Sequence, residues 1–307
     1  MTSTPDTAPG GVLPVASAGT MPGGVGSESA GHRVRSWQLW LLAFFLMLLA
    51  AAYQRRTGPS YPARGELPGA SGQATYELPR SHESSSGTLV EVPAVRAGGT
   101  LFWRRYPTDE HFAGIPLVRA GDELLATLPA QPPAGKLEYY LELAGAAGTL
   151  RVPAREAVVL RYHGPVPAGV LVPHILLMFL SMLVAVRAAL GVVAGQHRPR
   201  IAWEALAGFT LGGLVLGPIV QRHAFGAYWT GVPWGWDLTD NKTLLMWAAW
   251  LLACLAPLWR ERWRRPLVLV AGIVTIIVYV IPHSVHGSQL DWRATPSAPA
   301  SQPRGRS

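Results

Sequence analysis

Residues 37–53 read WQLWLLAFFLMLLAAAY, an unbroken apolar run with arginines on both sides. At ~1.5 Å per residue, a helix over this run would be roughly 26 Å long, close to the thickness of the hydrocarbon core of a bilayer. A cleaved signal peptide is the alternative interpretation, and the alanines at 50–52 would suit its cleavage site. We favour a retained transmembrane anchor over residues 36–53, because the run is long for a signal peptide and begins far from Met1.

Four more apolar runs of bilayer length follow later in the chain. They are Pro165–Val186, Ala205–Val220, Thr243–Leu258 and Pro266–Pro282. Charged residues make up only 14% of the 307 residues, against about 25% in soluble domains. The sequence therefore predicts a membrane bundle of about five transmembrane helices. Glycines at 208, 212, 213 and 217 are spaced to let a neighbouring helix approach closely.

Residues 54–164 have a different pattern. Short runs such as Thr88–Pro93, Gly99–Arg104 and Leu137–Leu143 alternate apolar and polar side chains, as half-buried strands do. Gly- and Pro-rich turns separate them at intervals of about ten residues. We predict an all-β, antiparallel sandwich inserted between the anchor and a four-helix transmembrane bundle over residues 165–290.

Positive charge in the short loops predicts the orientation. Arginines crowd the loop after the second run and the loop after the fourth, whereas the loop after the third has only Arg222 and Lys242. The N-terminal residues 1–35, rich in Gly, Pro and Ser, are predicted to be disordered and cytoplasmic. The β-sandwich, the third loop and a disordered tail over residues 291–307 would then lie outside a bacterial inner membrane, in the periplasm.

The composition also excludes several functions. The net charge of +8 lies largely in membrane-flanking loops, and no basic stripe with interleaved aromatics predicts nucleic-acid binding. The one cysteine, Cys254, lies in an apolar run, so there is no disulfide framework, no redox CxxC pair and no CxxCH heme-attachment site. No catalytic cluster stands out, which favours a binding protein over an enzyme.

The loop over residues 221–242 is the most unusual stretch outside the apolar runs. It contains Trp229, Trp234 and Trp236 together with a tyrosine and a phenylalanine. An aromatic belt at the lipid headgroups is one interpretation, because Trp and Tyr favour that depth. Belts, however, are usually spread over several helix ends. A platform for a flat apolar ligand is therefore the second interpretation.

Histidines accompany this loop. His223 lies at the end of the third run, and His283 and His286 follow the fifth, so the predicted orientation places all three on the side of the loop. Two imidazoles facing across an aromatic floor are what an iron porphyrin requires. Plain interfacial histidines remain the alternative.

Residues 234–247 read WGWDLTDNKTLLMW and are preceded by FGAYW at 225–229. Together they resemble the tryptophan-rich signature of the heme-handling membrane proteins of cytochrome c assembly, which runs roughly W-G-x-Y-W and then W-x-W-D-P-K-E-T-W-A-L-I-x-W. This chain has Leu238 in place of the proline and Thr239-Asp240 in place of Lys-Glu. The resemblance covers about 80 residues and does not include the predicted β-sandwich.

The resemblance implies heme as the cofactor, held by the loop and by two flanking outer histidines for delivery to an apocytochrome. His223 would be one axial ligand, and His283 or His286 the other. Trp229, Trp234, Trp236 and Asp237 would contact the ring. An alternative for Asp237 and Asp240 is capping of the helix that follows, and for Lys242 it is extension toward the lipid headgroups.

His174 lies about ten residues into the second run, where a polar side chain is costly. It is a candidate ligand for a deeper heme, and an interhelical hydrogen bond is the alternative. The leading hypothesis is thus heme binding or presentation at the outer face. The rivals are a non-catalytic scaffold whose β-sandwich binds a protein or glycan, and a redox subunit with heme b or quinone near His174.

Overall fold

The apolar runs form helices, and each helix extends past its run at one end or at both. The computed structural model describes residues 34–69, 72–145, 148–282, 289, 290 and 292. Within these residues, five helical stretches are long and apolar enough to cross a membrane. They are Ser36–Thr57, Ala168–Val193, Pro199–Phe225, Leu238–Leu258 and Glu261–Val280. Polar residues at the ends therefore belong to the helices, because backbone hydrogen bonding continues beyond the apolar segment.

The third stretch is not a uniform α-helix. It consists of α3 (Pro199–Phe209), a π-helical segment (Thr210–Leu216) and α4 (Gly217–Phe225). Pro218 lacks an amide hydrogen and cannot continue the α-helical pattern. The Gly217 amide instead donates to the Gly212 carbonyl, five residues back, which widens the turn.

The five stretches form one bundle. Here α2 (Ala168–Val193) packs against α1 (Ser36–Thr57), α3 and α6 (Arg264–Val280), and α5 (Leu238–Leu255) packs against α3 and α6. Buried residues on one face of α1 join the common core. The helix interpreted from sequence as a separate anchor is therefore a fifth member of the bundle.

Glycines allow the close approach that their spacing predicted. A Cβ atom on Gly208 would overlap the Ser181 hydroxyl, and one on Gly213 would lie 2.9 Å from a Thr243 methyl. A contact of the same kind joins α6 to α2, where a Cβ on Gly272 would overlap the Cβ of Ala189. A bundle with such short interhelical separations depends on the absence of these side chains.

Between α1 and α2, the described residues form eleven strands. They are β1 (Ala63–Gly69), β2 (Gly72–Leu78), β3 (Ser81–Glu83), β4 (Thr88–Pro93), β5 (Gly98–Arg105), β6 (Ala113–Pro116), β7 (Val118–Ala120), β8 (Glu123–Leu128), β9 (Lys136–Gly145), β10 (Gly148–Val152) and β11 (Val158–His163). The three alternating runs predicted as strands correspond to β4, β5 and β9.

The strands form a hairpin and two sheets around one core. The larger sheet has the order β3-β11-β9-β5-β6 with β10 beside β9, the smaller has the order β4-β8-β7, and β1 pairs with β2. Alternate residues of β9, from Leu137 to Leu143, meet Val90 and Leu124 of the smaller sheet in a single apolar cluster. Among the described strands the pairing is antiparallel except between β3 and β11, which run parallel, so the all-antiparallel prediction was wrong there.

Three hydrogen bonds connect segments that flank the strands: one joins the linker before α2 to α4, and two join residues after α6 to turns between the strands. The Gly164 amide, just before α2, donates to the Ala224 carbonyl at 2.8 Å. After α6 the chain returns to the strands, where the Leu290 amide donates to the Ala134 carbonyl at 3.1 Å. The Trp292 indole donates to the Tyr106 carbonyl at 3.1 Å. Trp292 falls in the segment 291–307 that the sequence predicts to be disordered, and within that segment it is the residue that the structure describes.

We predict that Gly272→Ala destabilises the protein in detergent by about 1–3 kcal/mol, because the new methyl group forces α6 away from α2. The matched control is Gly169→Ala in α2, where a Cβ has open space. It should leave the free energy of unfolding unchanged or slightly higher. Chemical unfolding followed by circular dichroism compares the two, and equal effects would contradict the packing argument.

Candidate functional site

A cavity of about 300 Å³ lies at the end of the bundle nearest the β strands. Its wall is formed by α2, the π-helical segment, α4, α5 and α6, and the loop between α4 and α5 contributes to it. The surface of the cavity is mostly apolar, although about half of the lining residues carry polar side chains. The lining residues are Gln54, His174, Ile175, Met178, Phe179, Gly213, Gly217, Val220, Gln221, Phe225, Trp229, Asp237, Thr239, Asp240, Thr243 and Tyr279. A concave site with mostly apolar surface and polar groups at particular positions is the usual form of a small-molecule site.

The carboxylate of Asp240 holds the loop over this cavity. One of its oxygens accepts hydrogen bonds from the Thr230 amide at 2.6 Å, the Gln221 side chain at 3.1 Å and the Thr230 hydroxyl at 3.3 Å. Beside it, the side-chain oxygen (Oδ1) of Asn241 accepts a hydrogen bond from the Val232 amide at 2.7 Å. Two neighbouring residues of the first turn of α5 thus fix the middle of the loop.

Asp237 caps α5, as one interpretation of the sequence predicted. Its side chain accepts from the amides of Thr239 at 2.8 Å and Asp240 at 3.4 Å. These amides have no partner within the helix, so the carboxylate stabilises the helix start. The cap also places Asp237 in the cavity wall.

Lys242 does not extend toward solvent. Its side chain is 5% exposed, and its ammonium group donates to the Ile281 carbonyl at 2.6 Å. The predicted extension to the lipid headgroups was therefore wrong. A carbonyl at the end of α6 satisfies the cation, because that helix terminus leaves its last carbonyls without helical partners.

His174 faces the cavity from α2. Its Nδ1 lies 2.9 Å from the Gly212 carbonyl oxygen. A carbonyl can only accept a hydrogen bond, so we assign the hydrogen to Nδ1. In the neutral ring Nε2 then carries a lone pair, and Nε2 makes no hydrogen bond within the described part of the chain. The predicted interhelical hydrogen bond is confirmed.

The three predicted platform tryptophans are in different surroundings. Trp229 lines the cavity and donates from its indole nitrogen to the Val232 carbonyl at 3.1 Å. Trp234 and Trp236 are 81% and 86% exposed and do not line the cavity. The loop therefore presents one tryptophan inward and two outward.

The predicted outer histidines are only partly described. His223 is exposed in the last turn of α4 and does not line the cavity. His283 and His286 lie outside the described residues. The structure brings together His174, Trp229 and Asp237, and it leaves His223 apart from them.

Three further cavity residues were not predicted from the sequence. Gln54 follows the first apolar run, and Gln221 precedes the aromatic loop, so both mark the polar end of a helix. Tyr279 lies in the fifth run and donates to the Met178 carbonyl at 2.6 Å. A polar side chain within an apolar run was the only sequence signal for it.

Cations from the β strands approach the same end of the bundle. The Arg161 guanidinium lies 5.5 Å from the Phe225 ring. Lys136 is buried, and its ammonium donates to the Gln289 side chain at 3.0 Å. Burial and the charge of Arg161 lower the pKa of Lys136 to about 8, and the nearby carboxylate of Asp237 opposes that shift.

Comparison with known proteins adds no assignment. No protein-family model matches the chain, and no curated protein matches it.

We predict that Asp240→Ala releases the loop from α5. Losing charge-assisted hydrogen bonds should raise the amide exchange rate of Thr230 by roughly tenfold or more. Hydrogen–deuterium exchange with mass spectrometry on peptides covering 226–236 measures the effect. Asp122→Ala, which removes an exposed carboxylate from the β strands, is the control. Unchanged exchange in the loop of Asp240→Ala would show that Asp240 does not hold it.

Lys136 should make stability depend on pH. Between about pH 8 and 10 the unfolded chain binds a proton at this lysine that the folded chain does not, so its contribution to the free energy of unfolding rises with pH. The slope should approach about 1.4 kcal/mol per pH unit. Lys136→Met should lose this contribution, whereas the exposed control Arg155→Met should keep it. Parallel curves for the wild-type protein and Lys136→Met would contradict the shift.

Proposed function

We propose that this chain is a multi-pass protein of a bacterial inner membrane, with its β strands and aromatic loop on the outer side. The five long apolar helical stretches support insertion. Gln54, Asp240 and Ile281, from different helices, meet near the β strands, so consecutive helices run in opposite directions as membrane spans must. Arginines concentrate at the other end of the bundle, which supports a cytoplasmic location for that end.

We further propose that the cavity binds heme, that His174 would hold the heme iron, and that the outer loop takes part in presenting the heme. The observation that carries this proposal is the hydrogen bond from His174 Nδ1 to the Gly212 carbonyl. Metal-binding histidines commonly donate their second ring nitrogen to a backbone carbonyl, which orients the ring and raises its basicity. His174 has this arrangement on the wall of a ligand-sized cavity.

The other residues of the cavity fit parts of a porphyrin. Trp229, Phe225 and Phe179 supply aromatic and apolar surface. The cavity volume is at the low end of the range for ligand pockets, so it would enclose only part of the ring. Trp234 and Trp236, exposed on the loop that supplies Trp229, offer further surface for the remainder. When bound, heme iron would supply redox or ligand-exchange chemistry.

The single imidazole limits what the site does. Within the described residues, no group of three or more His, Cys, Asp or Glu side chains is placed to hold a metal ion. One histidine suffices for one axial position of heme. A heme with one protein ligand is easier to transfer than one with two, which suits presentation to an apocytochrome or another outer partner that docks on the β strands.

A quinone in the same cavity is a second candidate. The small volume and apolar lining favour a single ring with an apolar tail. The Nε2 lone pair of His174 would accept a hydrogen bond from a quinol hydroxyl. The scaffold hypothesis, in which the bundle only anchors the β strands, predicts that neither compound binds.

Hemin titration of the detergent-purified protein tests the proposal. We expect a Soret band whose apparent affinity falls by at least about tenfold in His174→Gly, with recovery when imidazole is added. The matched control is His223→Gly, an exposed histidine near the same loop, which should bind as the wild type does.

The other outcomes separate the rivals. Loss of binding in His223→Gly with no change in His174→Gly would overturn the cavity site in favour of the surface site inferred from sequence. Binding of a fluorescent quinone analogue to the wild type but not to His174→Gly, with no Soret band after hemin is added, would favour the quinone. Binding of neither compound would leave the scaffold.

A further inference from the structure

The end of the bundle away from the β strands carries a dense positive charge, and we call it the arginine-rich end. Among the described residues it contains eight arginines and two glutamates. The arginines are Arg35, Arg187, Arg198, Arg200, Arg260, Arg262, Arg264 and Arg265, and the glutamates are Glu204 and Glu261. Such an excess of positive charge attracts anions. Binding of an anion stabilises the protein most where the charged and polar groups are buried, because an unpaired buried charge is costly.

A small pocket of about 50 Å³ opens at this end, between the start of α3, the end of α5 and the start of α6. Its two polar side chains are His197 and Arg264. The rest of its lining is mainly apolar. That lining consists of Pro199, Ala202, Trp203, Ala253, Cys254, Pro257, Leu258 and Val268.

His197 lacks the partners that a buried imidazole requires. Both of its ring nitrogens are buried without a hydrogen bond, an arrangement that costs free energy unless a bound group satisfies it. Burial and the charges of Arg264 and Arg265 lower its pKa. A neutral imidazole beside two guanidinium groups still offers an N–H donor. The group that suits all three is an anion with several acceptor oxygens.

Arg264 also has hydrogen-bond donors available for an anion. It forms an ion pair with Glu261 at 2.7 Å, and the Glu261 side chain is largely exposed. A guanidinium has five N–H donors, so one such pair leaves others available. A phosphate oxygen would accept from Arg264 and from the His197 ring together.

The apolar lining indicates that this anion carries a hydrocarbon tail. Trp203 and Leu258, which line the pocket, are 46% and 72% exposed, so apolar surface continues from the pocket onto the outside of the bundle. A water molecule in the liquid occupies about 30 Å³. A pocket of 50 Å³ thus takes a phosphate group but not a whole lipid, and the tail would remain on the surface.

We propose that the pocket formed by His197, Arg264 and Trp203 binds the phosphodiester of an anionic glycerophospholipid at the arginine-rich end. Basic pockets between helices on the cytoplasmic side are suited to such headgroups. The proposed orientation in the membrane places this end at the cytoplasmic leaflet. The inference depends on membrane insertion but not on heme, so the two proposals fail independently.

Native mass spectrometry of the full chain released from detergent tests the site, with dioleoylphosphatidylglycerol and dioleoylphosphatidylcholine as probes. We expect phosphatidylglycerol to bind at least about tenfold more tightly than phosphatidylcholine. Arg264→Gln should lower the phosphatidylglycerol affinity by roughly tenfold. Trp203→Ala should weaken long-chain phosphatidylglycerol more than its short-chain analogue.

The matched control is Arg262→Gln, which removes the same charge from the same loop at an exposed position outside the pocket. It should lower the affinity by twofold at most. Equal losses in Arg262→Gln and Arg264→Gln would overturn the site in favour of diffuse attraction. Equal binding of the two lipids would overturn it as well, and inorganic phosphate binding as tightly as phosphatidylglycerol would overturn the lipid identity. His197→Gln, which can still donate a hydrogen bond, should bind more tightly than His197→Leu, and this comparison holds if either arginine variant fails to fold.

Discussion

The carboxylate of Asp240 joins three consecutive parts of the chain: the end of α4, the aromatic loop and the first turn of α5. It accepts one hydrogen bond from Gln221 and two from Thr230. Movement of the loop would break these hydrogen bonds and leave the buried carboxylate without donors. Hydrogen bonds to a carboxylate are among the strong polar contacts in proteins, and Asp240 is buried. The loop covers the cavity, and Trp229 points into it, because the loop donates hydrogen bonds to the carboxylate of Asp240.

The helices and strands could be predicted because their signals are local. Apolar runs of bilayer length identify helices without any partner, and alternation along Thr88–Pro93 identifies a strand by itself. The parallel pairing of β3 with β11 could not be predicted, since it joins residues about 80 positions apart and no local pattern encodes it. Lys242 shows the same limit, because its partner is a backbone carbonyl at Ile281 and backbone groups carry no sequence signature.

The candidate site was found in part for a related reason. The aromatic loop was recognised by its composition, and His174 by the free-energy cost of a polar side chain within an apolar run. Both lie at the cavity. Their relation involves the π-helical segment, whose Gly212 carbonyl accepts from both His174 and the Gly217 amide. Pro218 and the neighbouring glycines permit that segment, but many sequences with these residues remain α-helical. The geometry that makes His174 a candidate ligand therefore becomes visible only in three dimensions.

The return of Leu290 and Trp292 to the β strands has a mechanical consequence. A domain inserted into a chain is attached at two points, and two points leave rotation about the line between them. Leu290 and Trp292, which follow α6, are a third segment that contacts the chain between the strands, at Ala134 and Tyr106. A rotation of the β strands relative to that segment would therefore break these hydrogen bonds.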